Sequence, residues 1–350
     1  MISVCIITRN ESENLKECLV RLSKYAVEIV LVDTGSEDDS VSVAKEYTDN
    51  VYYFPWCDDF SAARNFAVQK AHCDMIMMLD SDEFIERWDM DEFERLINSH
   101  KGQVGRIHLC NEYMADSMGM LNNELVSRVF DRRYFMYEGI IHEQIVSRDG
   151  ELYETYPVPI YINHSGYSGG AKERQEKAER NLRLLFQALS ENEEDPYLLF
   201  QIGKSYYYKG DYQRAVDYFD KAMKRPLDVR LEYVIDLVTS YGYACINAGE
   251  PEQALLLENV YEDFSSSADF VFMLGHVYMQ NARFEQAVNM FLHATEFALS
   301  SVEGVTSYLA YYNVGVIYEC LGLAEEAKKY YEKCGDYELA KDGYKRVQST

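Results

Sequence analysis

The sequence predicts two domains of different class: an α/β domain built on a parallel sheet, followed by an all-α solenoid of repeated helix pairs. Short apolar runs that alternate with helical patterns in the first quarter of the chain indicate the α/β domain. Glycine and alanine that recur at a constant separation in the second half indicate the solenoid. At 350 residues the chain has room for roughly two or three domains.

Four apolar segments predict buried strands, because a strand that is covered on both faces shows no polar alternation. They are residues 2–7, 28–33, 51–54 and 75–80. Helical patterns separate them, and we expect the first helix to begin at Asn10, with Glu13 completing its cap. This β-α-β order predicts a parallel sheet with right-handed crossovers. Further short strands predict a mixed extension of the sheet that carries the acceptor side, over residues 104–110, 125–130, 140–146 and 158–162.

The fourth strand runs directly into three carboxylates, Asp80, Asp82 and Glu83. Ligands of open α/β sheets bind outside the carboxyl ends of the strands, and residues two apart in a strand point to the same side. Converging carboxylates repel each other unless a cation lies between them, and magnesium and manganese prefer such oxygen ligands. Asp33 ends the second strand and is expected at the same edge. The alternative is a polar loop of solvated acids.

Four motifs in this order resemble those of glycosyltransferase family 2, the inverting enzymes with the GT-A fold of nucleotide-diphospho-sugar transferases. They are VCIITRNE at 4–11, LVDTGS at 31–36, DFSAARN at 59–65 and LDSDE at 79–83. The resemblance covers about residues 1–170. It implies a nucleotide-sugar donor and a divalent metal, Mn²⁺ or Mg²⁺.

The resemblance also implies roles for individual residues. Asp33 is expected to contact the nucleotide base, usually uracil, and Thr8 of the first motif to lie in the same donor site. Arg64 is expected near the base or the diphosphate. Asp80 would approach the ribose or a metal-bound water, and Asp82 would bind the metal directly. The alternatives are a turn-capping role for Asp33 and an unremarkable surface cation for Arg64.

Two histidine motifs resemble those of the family 2 branch that carries tetratricopeptide repeats: His142-Glu143, and His164 followed by Ser-Gly-Tyr. Inverting transfer needs a carboxylate that takes the acceptor proton, and we assign Glu143 as this base. His164 is assigned as a metal ligand, with His142 as its competitor. The alternatives are structural histidines and an ion pair of Glu143 with Arg128 or Arg132.

Glycine is followed twelve residues later by alanine at four places in the second half. The pairs are Gly203/Ala215, Gly242/Ala254, Gly275/Ala287 and Gly315/Ala327. An aromatic residue follows the alanine by four positions in all units but the second, where Glu258 stands instead. This is the tetratricopeptide pattern of two antiparallel helices per unit, whose small residues mark close helix crossings. Uneven glycine spacings of 39, 33 and 40 predict insertions near residues 226–234 and 300–307.

These patterns divide the chain into three parts. We predict a GT-A glycosyltransferase domain over residues 1–170 and a connecting helix with linker over 171–195. A tetratricopeptide-repeat domain of about four helix pairs is predicted over 196–350. The repeats also suggest that a second copy of the chain is a partner, in a homodimer formed through this domain.

Composition limits the partners and the compartment. The net charge of −25 argues against nucleic acid. No apolar stretch approaches the length that spans a membrane. The eight cysteines form no Cys-x-x-Cys pair, so reduced thiols and a cytoplasmic location are expected. The amino terminus is expected to be a strand and not a signal peptide.

The leading hypothesis is a metal-dependent inverting glycosyltransferase that moves a sugar from a UDP-sugar to a peptide, protein or glycan acceptor. Bacterial relatives of this architecture include enzymes that glycosylate peptides, some on cysteine sulfur, and enzymes that act on envelope glycans. The attacking atom, oxygen or sulfur, stays open, as does the sugar. The alternative is a non-catalytic interaction protein whose repeats bind a partner and whose first domain is a degenerate nucleotide-sugar-binding domain. Nucleotidyl transfer is disfavoured, since no glycine-rich loop follows the first strand.

Overall fold

The computed structural model describes residues 1–115, 118–164 and 171–348, with side chains described throughout these ranges except at 111–123 and 171–177. The chain forms two compact units, Met1–Lys177 and Ala178–Thr350. The Ser-Gly-Tyr that follows His164 lies outside the described residues.

A mixed sheet forms the centre of the first unit. In the described part of this unit it has eight strands: β1 (Ser3–Thr8), β2 (Glu28–Asp33), β3 (Val51–Tyr53), β4 (Met75–Asp80), β5 (Glu83–Trp88), β6 (Val104–Ala115), β7 (Met118–Asp131) and β10 (Thr155–His164). Their order is β3-β2-β1-β4-β7-β6-β10-β5. A separate hairpin consists of β8 (Phe135–Glu138) and β9 (Gln144–Ser147).

The first four strands are parallel, as the β-α-β pattern predicts. The helices of this unit are α1 (Ser12–Leu22), α2 (Ser40–Lys45), α3 (Phe60–Lys70) and α4 (Met90–Ser99). Leu15, Leu19 and Leu22 of α1 pack into the core on one face of the sheet. Ala67 and Val68 of α3 pack into the core on the other face, together with the β8–β9 hairpin. Both faces of the parallel strands are therefore covered, which is why these strands are continuously apolar.

Three local expectations differ from the structure. The first helix begins at Ser12, because Asn10 has a positive φ of 55° and its side-chain oxygen accepts the N–H of Glu37 at 2.7 Å. The strand predicted over 140–146 forms only in part: residues 139–143 are the turn of the β8–β9 hairpin, and β9 begins at Gln144. The edge strand β5 and helix α4 were not predicted, since charged residues interrupt the apolar pattern of both.

Helices make up the second unit. The first is α5 (Ala171–Glu191), which begins before the boundary between the units; the others are α6 (Pro196–Tyr208), α7 (Tyr212–Met223), α8 (Glu232–Asn247), α9 (Tyr261–Phe264), α10 (Ala268–Gln280), α11 (Phe284–Ala294), α12 (Tyr308–Cys320), α13 (Ala324–Glu332) and α14 (Glu338–Gln348). A 3₁₀ segment precedes α9 at Gln253–Val260. Pro196 is the first residue of α6, and the Asp195 side chain accepts the N–H groups of Tyr197 and Leu198. The predicted linker therefore ends in a capped helix start.

The recurring glycines mark close helix crossings, as predicted. A Cβ atom on Gly203 would lie 2.5 Å from the ring of Phe219, and one on Gly275 would lie 2.8 Å from the ring of Phe291. Gly315 makes the equivalent approach to Tyr331 at 2.6 Å. Each of these aromatic residues lies four positions after the alanine that follows the glycine by twelve residues. The glycine–alanine–aromatic pattern of the sequence therefore marks the two helices that pack together in each of these units.

The second repeat unit is the irregular one. Its second helix is replaced by the 3₁₀ segment and the short α9, and Gly242 packs against Met273 of the next unit instead of against an aromatic of its own. Glu258 is exposed and forms an ion pair with Arg283 at 2.6 Å. The two predicted insertions are the loops between α7 and α8 and between α11 and α12.

Candidate active site

The carboxyl ends of three neighbouring parallel strands bring predicted donor-site residues to one edge of the sheet. Thr8 at the end of β1 is in register with Asp33 at the end of β2, and Ile7 is in register with Asp80 at the end of β4. The expectation that Asp33 and Asp80 share an edge is confirmed. Because parallel register aligns strand ends, this grouping follows from the order of the strands.

Asp33 and Thr8 are both buried at this edge. The Asp33 carboxylate accepts the N–H groups of Gly35 and Ser36, each at 3.1 Å, which is the geometry of a turn-capping aspartate. The Thr8 hydroxyl has no hydrogen-bond partner in the described part of the chain. A buried hydroxyl without a partner is uncommon, and a bound ligand or water is one way to satisfy it. The base-contacting role of Asp33 stays a prediction.

Arg64 lies at the centre of the candidate site and is not a surface cation. It is buried, its Nη2 donates to Asp80 Oδ1 at 2.8 Å, and its Nε donates to Glu143. Burial disfavours the charged guanidinium, but the charges of Asp80 and Glu143 raise the pKa of Arg64 above its usual range. Its guanidinium carbon lies 5.6 Å from the centre of the Tyr137 ring.

The β8–β9 hairpin delivers Glu143 to Arg64. Asn65, the neighbour of Arg64 on α3, binds the backbone of Tyr137 in both directions, accepting its N–H at 3.0 Å and donating to its carbonyl at 2.8 Å. The hairpin turn is tied to the start of α3 by the N–H of Phe60, which donates to the Ile140 carbonyl at 2.9 Å. The alternative that Glu143 pairs with Arg128 or Arg132 is therefore wrong in its partner, which is Arg64.

Arg128 and Glu83 take roles at this site that the sequence did not predict. Arg128 of β7 donates through Nη2 to Asp80 Oδ2 at 2.9 Å and to Glu83 Oε1 at 2.6 Å. Burial raises the pKa of Asp80, but Arg64 and Arg128 together hold it well below its usual range. The cations that separate the carboxylates of this turn are thus two arginines. The three acids at the end of a buried strand were the sequence signal that buried cations must lie nearby.

Asp82 and His164 form the second part of the candidate site. The antiparallel pairing of β5 with β10 places His164 opposite Glu83, and His164 Nε2 lies 3.2 Å from Asp82 Oδ2. Burial lowers the pKa of His164, but the hydrogen bond and charge of Asp82 outweigh this, so the pKa is raised. His142, by contrast, lies beside Glu143 with a positive φ of 50°, and burial lowers its pKa.

Comparison with known families identifies both units. Residues 3–111 match the glycosyl transferase family 2 model. Residues 196–225, 268–300 and 308–334 match tetratricopeptide repeat models. The chain carries a family 2 glycosyltransferase domain followed by tetratricopeptide repeats.

Several curated proteins resemble this chain over part of their length. A TPR repeat-containing protein of Synechococcus elongatus is 28% identical over 235 residues, covering 64% of this chain and 57% of that protein. The glycosyltransferase SunS of Bacillus subtilis is 25% identical over 230 residues, covering 62% of this chain and 52% of SunS. An uncharacterized glycosyltransferase of Rickettsia prowazekii is 31% identical over 99 residues, which are 28% of this chain and 34% of that protein. The chain spans little more than half the length of the first two.

Two solved structures resemble about half of the chain. YrrB is described as a TPR protein with an unusual peptide-binding site. The match covers 49% of this chain and 86% of the YrrB chain, at 24% identity and a TM-score of 0.41. MamA covers 51% of this chain over 95% of its own, at 20% identity and a TM-score of 0.39. Within the described ranges, no helix is long and apolar enough to cross a membrane.

The family 2 domain offers two donor groups to a metal ion, the Asp82 carboxylate and the His164 imidazole. No cluster of three or more His, Cys, Asp or Glu side chains suited to a metal occurs among the described residues. A pair is compatible with Mg²⁺ or Mn²⁺, since such ions are commonly held by one or two protein ligands together with substrate phosphates and water. Both oxygens of Asp80 already accept arginine N–H groups. The residues present therefore fit a metal that the donor helps to bind.

Proposed function

We propose that the protein is an inverting glycosyltransferase that uses Mn²⁺ or Mg²⁺ and transfers a sugar from a UDP-sugar to a peptide, protein or glycan acceptor. The observation that carries the proposal is the convergence at one sheet edge of Arg64, Asp80 and Glu143 in one ion-pair network, with the Asp82–His164 pair on the adjoining β4–β5 turn and β10. The family 2 match supports the chemistry.

The donor side is assigned to the strand ends. We expect Asp33 and Thr8 to hold the base and its ribose, Arg64 to face the base or the diphosphate, and Asp80 to face the ribose. Asp82 and His164 are expected to hold the metal, which supplies Lewis-acid neutralisation of the departing diphosphate. Arg64 is well suited to face the diphosphate, because its guanidinium keeps its positive charge at any working pH.

The acceptor side is assigned to Glu143. Its carboxylate takes the proton of the acceptor hydroxyl or thiol while the oxygen or sulfur attacks the anomeric carbon. The bond between that carbon and the diphosphate oxygen breaks, and its electron pair leaves with the nucleoside diphosphate. Attack from the face opposite the leaving group inverts the configuration. The Arg64 hydrogen bond orients the Glu143 carboxylate for this step.

The repeat domain is proposed to hold part of the acceptor, since stacked helix pairs form extended concave surfaces that suit chain-like ligands. We place the reaction in the cytoplasm, a proposal supported by the free thiol form of all eight cysteines. Self-association through the repeats is a further proposal, and sedimentation of the purified protein tests it.

A donor screen tests the proposal. Purified protein is mixed with Mn²⁺ and a panel of nucleotide sugars, and scored by thermal shift and by slow release of nucleoside diphosphate. We expect one UDP-sugar to raise the melting temperature and a chelator to remove the effect. If no nucleotide shifts the melting temperature, the transferase proposal fails, and the chain is better explained as a repeat protein that binds a partner without catalysis.

A further inference from the structure

Arg128 is the one arginine of the described network that contacts two different acids of the β4–β5 turn. It lies on β7, and its side chain is only 13% exposed. The same Nη2 atom lies 2.9 Å from Asp80 and 2.6 Å from Glu83. A guanidinium that links two residues three apart in a turn restricts the backbone between them.

Glu83 completes this restriction. Glu83 is 1% exposed, and its Oε2 accepts the backbone N–H of Asp80 at 2.9 Å. The Glu83 side chain therefore closes the turn onto its first residue, and Arg128 holds that side chain in place. A buried carboxylate is stable only when such partners satisfy it.

Asp80 is held from both sides. Arg64 binds Oδ1 at 2.8 Å and Arg128 binds Oδ2 at 2.9 Å, so the carboxylate cannot rotate without losing a buried charge-assisted hydrogen bond. Asp82 lies between Asp80 and Glu83 in the chain. With both flanking side chains held, the direction in which Asp82 points is set, and it points at His164.

We propose that Arg128 is a positioning residue of the donor site, which holds the Asp80–Glu83 turn so that Asp82 faces His164. The inference rests on the proposed function, because the Asp82–His164 pair matters here as the binding site for metal and diphosphate. Arg128 itself touches neither the metal nor the reacting atoms in this assignment. It acts through Asp80 and Glu83.

The test compares Arg128→Lys with wild type. Lysine keeps the charge, but Nη2 makes the contacts to both acids, and a lysine side chain ends one atom short of that position. We expect the variant to fold and melt near the wild-type temperature, while Mn²⁺-dependent affinity for UDP, measured by calorimetry, falls by about 10–100-fold, the usual effect of losing a group that orients a metal ligand. Hydrogen exchange of the amides at residues 80–83 should accelerate without any ligand present. Arg133→Lys is the matched control, since Arg133 is exposed and pairs with Asp131 and Asp74.

Glu83→Gln provides a second variant if Arg128→Lys does not fold, and it should weaken Mn²⁺-dependent UDP binding in the same direction. A folded Arg128→Lys protein with wild-type UDP affinity and unchanged amide exchange would overturn the positioning role and leave the proposed function standing. A wild-type protein that binds neither Mn²⁺ nor UDP would overturn both together. Binding of Mn²⁺ and UDP by the wild-type protein therefore distinguishes failure of the positioning role from failure of the proposed function.

Discussion

Replacing Arg64 with methionine removes the charge that links the two halves of the candidate site. Arg64 pairs with Asp80 and with Glu143, and the exposed fractions of the three side chains are 8%, 29% and 10%. Asp80 keeps Arg128 in the variant, whereas Glu143 loses its guanidinium partner. Methionine fills most of the space but leaves a buried carboxylate without a cation.

The magnitude follows from that burial. Removing one partner of a buried ion pair destabilises a protein by about 3–5 kcal/mol. For a unit of this size each kcal/mol lowers the melting temperature by about 2–4 °C. We therefore expect Arg64→Met to lower the melting temperature of the first unit by about 6–20 °C.

Tryptophan fluorescence is the assay, because Trp56 and Trp88 are the only tryptophans of the chain and both lie in the first unit. Unfolding of the repeats does not interfere with this signal. Arg95→Met is the control: this arginine is 74% exposed and pairs with Glu92 of the same helix, so its removal should leave the melting curve nearly unchanged. If Arg64→Met melted at the same temperature as Arg95→Met, the buried ion-pair network would not stabilise the first unit.

The pH dependence gives a second check. The pKa of Asp80 is lowered in the folded protein, so its contribution to stability is present above its unfolded pKa of about 3.9 and is lost as the pH falls towards the folded value. Arg64 is one cause of that lowering. The stability difference between wild type and Arg64→Met, from urea melts, should be constant from pH 8 to about pH 5 and shrink below it. A difference that grew in acid would contradict the sign of this linkage.

Three further predictions concern the site and the repeats. Asp82→Asn should lower metal-dependent donor turnover by at least about 100-fold while the melting curve in the absence of metal is unchanged. Glu143→Gln should keep UDP binding, measured by calorimetry, and lose transfer by about 10²–10⁴-fold. Gly203→Ala should destabilise the repeat unit by about 1–3 kcal/mol in urea melts followed by circular dichroism, because its Cβ would lie 2.5 Å from the fully buried ring of Phe219. Gln213→Ala, an exposed change on the next helix, is its control.

Each of these has a contrary outcome. Normal turnover in Asp82→Asn would remove Asp82 from the metal site. Loss of UDP binding in Glu143→Gln would make Glu143 a structural partner of Arg64 and not the base. A Gly203→Ala protein as stable as wild type would mean that the contact with Phe219 costs no more than the gain in helix propensity, about 0.5–1 kcal/mol.

Much of the site could be predicted because it lies at strand ends. Asp33 and Asp80 end apolar runs that predict buried strands, and parallel strands align their carboxyl ends. The proximity of Asp82 and His164 could also be predicted, since both were assigned as ligands of one metal ion. The base, His142 and Asp33 assignments remain predictions, because no contact in the structure distinguishes their proposed roles.

The partners of the buried acids could not be predicted. Arg64 and Arg128 lie 16 and 48 residues from Asp80 in the chain, and Glu143 lies 79 residues from Arg64. Which cation meets which carboxylate depends on β7 pairing with β4 and on the hairpin packing on α3. The alternative in which Glu143 pairs with Arg128 or Arg132 names the wrong arginines for this reason.

The sequence by itself determined the class of each unit, the acids at the sheet edge and the glycine–aromatic contacts of the repeats, because each depends on periodicity within one or two neighbouring elements. Tertiary structure alone decided the strand order beyond β4, the 3₁₀ segment of the second repeat and the arginine network. Closing a longer loop adds little entropy cost, so many distant pairings are nearly equal until packing chooses one of them. At this site buried charge favours the observed packing, since it gives Asp80, Glu83 and Glu143 their cations.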